Sequence, residues 1–145
     1  MIPILFDSSA TSYTSNGIGR LSDCIEYYVT EERNGIFELE MRYPITGVHY
    51  DEIVKGNIIV ASHDEVGDVQ PFVIYRISKP IDGIVEINAH HISYRLSNVI
   101  LKPFTASSAS DAFGKFETEV LTEQDFSFWT DVTTAGNFKV EVPTS

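Results

Sequence analysis

The chain has 145 residues, 43% hydrophobic and 12% aromatic, enough for one folded domain or for one domain and the beginning of another. A formal charge of −11 argues against binding a nucleic-acid backbone, which needs clustered Lys and Arg, and the plain expectation is a solvated acidic surface. One cysteine excludes an internal disulfide and a multi-cysteine metal site, and no stretch approaches the roughly 20 apolar residues of a membrane helix. The start, MIPILFDSS, is short and has no basic flank, so a soluble chain not exported by the general route is expected.

In chain order, Pro3 to Phe6 reads as a short strand, and Asp7 to Gly19 (SSATSYTSNGIG within it) as a loop. Cys24 to Pro44 reads as a hairpin with an oily and an acidic face. Strand side chains alternate, so Ile25, Tyr27 and Val29 share one face, as do Phe37, Leu39 and Met41. A two-residue turn at Asn34-Gly35 would set Val29 against Glu40 and Glu31 against Glu38. That register spoils the oily face and apposes like charges. A three-residue loop, Arg33-Asn34-Gly35, instead pairs Val29 with Leu39, Tyr27 with Met41 and Glu26 with Arg42. This register is predicted, with Gly35 in the left-handed position.

Pro44 ends the second hairpin strand, and Val48 to Val54 is expected to form one helical turn or a compact loop. Asn57 to Ser62 is a strand with a continuous apolar run, and His63 to Val69 a polar turn. Pro71 to Ser78 and Ile84 to His90 are strands joined by a turn at Pro80-Ile81-Asp82-Gly83. His91 to Ser97 continues as extended or bent chain. About six strands with frequent turns point to a barrel-like or sandwich antiparallel β domain over 1–102. A helix plus strands over 103–145 would then begin a second domain. Ser107 and Ser108 before Asp111 form a capping signal, and Ala109, Ala112, Phe113, Phe116 and Val120 recur at helical spacing over about 108–121. Gly114 lies inside that helix. Phe126–Val132 and Phe138–Val142 read as strands, Phe126 and Phe128 sharing one face and Trp129 the other.

No catalytic, cofactor-binding or metal site is assigned. His49, His63, His90 and His91 lack a ligand spacing, and the adjacent pair His90-His91 would point to opposite faces of a strand. Glu31, Glu32, Glu38, Glu40, Asp51 and Glu52 read as solvent-facing. No Gly-x-Ser-x-Gly elbow is present, and Gly17-Ile18-Gly19 is a fragment of a phosphate loop without its strand. Cys24 has no basic neighbour and reads as a structural thiol. Trp129 is a candidate interface anchor.

Three segments, NGIFELEMRYP, HYDEIVKGNIIVAS and INAHHISYRLSNVIL, resemble the N-terminal hub region of phage tail-tip proteins, the prophage-tail or tail-associated lysin family. The resemblance covers most of residues 1–142 and rests on order and spacing, not on catalytic motifs. It implies a fold similar to the baseplate hub protein of contractile-tailed phages, with barrel-like β domains in a trimeric ring at the virion tail tip. Such a ring would meet the distal tail protein and the tape-measure protein and let DNA pass without specific binding. In many relatives, the resemblance implies, a peptidoglycan hydrolase or receptor-binding region follows far downstream. The glycine-rich segment usual in the family is missing, which is the pattern expected of a truncated second domain. On this reading the Glu38/Glu40 face lines or borders the lumen, where acidic groups repel phosphate. The alternatives are the leading, non-catalytic part of a cell-wall hydrolase and a carbohydrate- or receptor-binding β module centred on Trp129.

Overall fold

The computed structural model describes residues 1–62 and 69–145. It is mainly β and forms two compact units, Met1–Ile92 and Ser93–Ser145. The stretch 93–102, expected with the first domain, therefore belongs with the second. Its Leu101 is the reason, because it pairs with Val120 and Thr144.

The first unit contains strands β1 (Ile4–Phe6), β2 (Gly19–Arg20), β3 (Glu26–Glu31), β4 (Phe37–Pro44), β5 (Ile58–Ser62), β6 (Val69–Ile77) and β7 (Ile84–His91). They make one curled antiparallel sheet in the order β2-β1-β5-β6-β7-β4-β3, a half-barrel and not a sandwich. The two edge strands, β2 and β3, are consecutive in the chain. A turn closed by the Cys24 amide on the Leu21 carbonyl joins them, so it holds one end of each edge close to the other.

The concave side carries the main core, including Leu5, Leu39, Met41, Tyr43, Ile59, Phe72, Ile74, Val85 and Ile87. β5 is buried on both faces, which is why its sequence is a continuous apolar run. On its convex side Phe6, Ile58, Val60 and Val73 pack under Ala10 and Tyr13 of the Ser/Thr-rich loop. The Tyr13 ring meets Phe6 edge-on at 5.4 Å. That loop therefore acts as a lid over half of the convex face.

The β3–β4 register is the predicted one: Glu26 opposite Arg42, Tyr27 opposite Met41, Val29 opposite Leu39. The loop residue with positive φ is Asn34 (58°), however, and not Gly35. The Gly35 amide donates to the Glu32 carbonyl at 2.9 Å, so Asn34 is the third residue of the turn, the place where type II geometry demands positive φ. Gly35 serves by lacking a Cβ, which would lie 2.8 Å from Cβ of Glu32. Ile25, expected on the oily face, precedes β3 and is half exposed.

Between β4 and β5 the expected helical turn is a 3-10 turn at Tyr50–Glu52. The polar turn expected from His63 onward lies outside the described residues as far as 68, and Val69 already belongs to β6. The β6–β7 turn is centred on Asp82 and Gly83, both at positive φ, with Ile81 and Ile84 bonded to each other across it. Pro80 stands outside that turn. After β7, Ile92–Asn98 is a 3-10 helix where extended or bent chain was expected over His91–Ser97.

The second unit pairs β8 (Phe104–Ser108) with β9 (Ala135–Val140) and packs α1 (Ala109–Thr118) on β8. Ser108 caps α1, its hydroxyl accepting from the Asp111 amide at 3.1 Å, while the Asp111 carboxylate accepts from the Ser107 amide at 2.9 Å. β8 was not foreseen, and the helix ends three residues short of the expected Leu121. The strand expected over Phe126–Val132 does not form, and β9 starts at Ala135, ahead of the expected Phe138. Among the described residues no strand lies beside 126–132 to complete a ladder.

Candidate interaction surfaces

The convex faces of β3, β4, β7 and the end of β6 have no apolar covering among the described residues, and the polar residues of those strands gather there. Cross-strand pairing builds three rows. The first is Glu26, Arg42 and Glu86; the second is Tyr28, Glu40, Asn88 and Arg76; the third is Thr30, Glu38 and His90, next to which Val73 of β6 already belongs to the apolar cluster under the loop. Glu38 and Glu40 thus do share one outward face, as their spacing requires.

Arg42 Nη1 lies 2.8 Å from Glu26 Oε1, and the Tyr28 hydroxyl donates to Glu26 Oε2 at 2.8 Å. These two contacts, the guanidinium first, hold the Glu26 carboxyl below the usual range. A bulge between Ile74 and Arg76 turns Tyr75 outward. Its ring stacks on His90 at 5.3 Å with planes 12° apart, and its hydroxyl donates to Glu38 at 3.3 Å. Beside it, Oδ1 of Asn88 is buried and has no hydrogen-bond partner among the described residues. Tyr75, His90 and Asn88 were not singled out as a group from sequence. The signal that could have found them is the even spacing of polar residues in β7, Glu86, Asn88 and His90.

The three described histidines do not converge. His90 faces outward, whereas His91 lies on the concave side, stacked on Phe37 at 4.3 Å and within 3.1 Å of Gln70. Burial lowers the His91 imidazole below its ordinary value, partly offset by the Glu31 charge. His49 lies 3.9 Å from Glu52, and His63 lies outside the described residues. Among the described residues no three His, Cys, Asp or Glu side chains are grouped to hold a metal ion. Cys24 is half-buried, and desolvation pushes its thiol up to about 11, so it is protonated at neutral pH.

A second feature was not legible in the sequence. Beside the edge strand β3 runs an open cleft of about 280 Å³, lined on one side by Met1–Pro3, Leu21 and Ser22 and on the other by Cys24 and Ile25–Tyr28. In the second unit, Phe128 stacks against Phe113 at 6.2 Å and meets Phe116 edge-on at 5.6 Å. Trp129 points away and is 82% exposed. The alternation read from the sequence thus survives without the strand. No helix among the described residues is long and apolar enough to cross a membrane.

No protein-family model, no curated protein and no solved structure matches this chain.

Proposed function

We propose that the chain is a structural module of a bacteriophage or prophage tail tip, a hub element whose work is assembly and not chemistry. The observation that carries this reading is the ordered resemblance of three segments, which supply β4, β5 and β7 of a single curled antiparallel sheet. The half-barrel and the uncovered acidic convex face support it. A ring of such modules would present carboxylates such as Glu38 and Glu40 to passing DNA and would repel phosphate. In the virion the module would form a homotrimer at the tail tip, joined by the distal tail and tape-measure proteins.

The test is localisation. Antibodies raised against the chain should decorate one end of tailed particles released by the encoding strain, as seen by electron microscopy. Decoration of the cell envelope with bare particles would overturn the reading. Trp129, at 82% exposure, favours a second reading as a receptor- or glycan-binding module. On that reading, binding to host cell-wall glycans should be lost in Trp129→Ala. Peptidoglycan degradation by the chain itself would overturn the structural reading in favour of an enzyme.

A further inference from the structure

β3 is the last strand of the sheet, and the direction of its outward backbone groups follows from the ladder. The Glu32 amide donates to the Ile36 carbonyl, and on the other side of β4 the Ile45 amide donates to the Gly83 carbonyl. With the registers of both neighbours, even-numbered residues of β4 bond to β3 and odd-numbered ones to β7. Glu26, Tyr28 and Thr30 therefore turn their N–H and C=O groups toward β4. The backbone groups of Tyr27 and Val29 turn away from it, and Tyr27 lines the cleft. Among the described residues no other strand pairs with β3.

The opposite wall is the chain start, Met1–Pro3, with Leu21, whose amide donates to the Pro3 carbonyl at 2.9 Å. The lip between the walls is apolar and open, with Met1, Ile2 and Ile25 all about half exposed. At about 280 Å³ the space falls below the roughly 300–1,000 Å³ of small-molecule pockets, and one wall is the edge strand β3, whose Tyr27 turns its main-chain groups away from β4. Such an edge accepts another strand.

We propose that this seam binds an extended, basic segment of a partner protein, which pairs with β3 and closes the half-barrel. Charge chooses the occupant. An added strand places its side chains opposite those of β3: outward against Glu26, Tyr28 and Thr30, inward against Tyr27 and Val29. The flanks carry Asp23, Glu31 and Glu32, and Met1–Ile92 holds 14 acidic residues against 6 Lys and Arg. Lys or Arg alternating with aliphatic residues matches both faces. A second copy of β3 would bring its own carboxylates to the same edge. This inference goes beyond the tail-tip reading and holds for whatever assembly contains the chain.

The probe is an alternating Lys-Val octapeptide added to the full chain, compared with an alternating Glu-Val octapeptide and with a Lys-Val peptide N-methylated at every second residue. Hydrogen exchange at the Tyr27 and Val29 amides should slow by about tenfold with the Lys-Val peptide at tenfold excess over its dissociation constant. Alkylation of Cys24, the only thiol and a lining residue, should slow with it. The Glu-Val and N-methylated peptides should do neither. Equal protection by either control would overturn the proposal. So would Lys-Val binding that leaves Tyr27 and Val29 unprotected, which is attraction to the acidic surface alone. Protection of β3 by self-association without peptide would also overturn it.

Discussion

His91 and Asn34 show how much a single position depends on its surroundings. His91 is held below its ordinary imidazole value chiefly by burial beside Phe37 and Phe72. Its folded value lies under the unfolded one, about 6.5. The unfolded chain therefore takes up a proton that the folded chain refuses. The stability is complete above the unfolded value and is lost as pH falls through it toward the folded value. The thermal midpoint should accordingly drop between about pH 7.5 and pH 5.5, and His91→Phe, which keeps a ring in the stack, should flatten that drop. A variant with an unchanged slope would assign the effect to another group.

At the hairpin tip, the dipeptide Asn34-Gly35 announces a turn, but which residue takes positive φ depends on the closing hydrogen bond to Glu32. Asn34→Gly should be nearly neutral in urea denaturation. Gly35→Ala should destabilise by about 1 kcal/mol, because its Cβ arrives against that of Glu32.

At the scale of elements, periodicity is reliable where a face is buried and silent where a partner is missing. The β3–β4 register was legible because a one-residue slip would move Val29 off the core face. The helix start was legible because its cap is local: Ser108→Ala should cost about 1 kcal/mol by chemical denaturation followed at the helix signal. A cost near zero would mean that the Asp111–Ser107 contact alone closes the terminus. Phe126–Val132 has the alternation of a strand and is not one. Phe128 finds its burial on Phe113 and Phe116 of α1, so the pattern records a packed face and not a ladder. β8 was missed because its run, Phe-Thr-Ala-Ser-Ser, is small and polar. It is held by β9, some thirty residues downstream, and local pattern carries no trace of that distance.

For the whole molecule, burial is unequal. Among the described residues the concave cluster of the first unit has thirteen buried hydrophobics, whereas the second unit buries Phe104, Ala106 and Ala112. A two-stranded sheet with one helix has little apolar area to oppose chain entropy. Amide exchange should therefore be much faster across β8, α1 and β9 than across β4, β6 and β7. Phe72→Ala, at the centre of the concave core, should destabilise the first unit by about 3–5 kcal/mol and leave exchange in the second unaltered. Exchange rising in both units together would show that they unfold as one.

The sequence by itself determined the β class, the hairpin register, the helix cap and the acidic excess. Each rests on local spacing or on charge, which no folding step can alter. Only the tertiary structure decided that the strands make one curled sheet, that 93–102 joins the second unit, and that Tyr75, His90 and Asn88 meet on one face. It alone set the chain start and Leu21 across an open cleft from the edge strand β3. Those facts depend on strand order and curl, which bring together residues far apart in the chain, and side-chain periodicity does not encode which strand lies next to which.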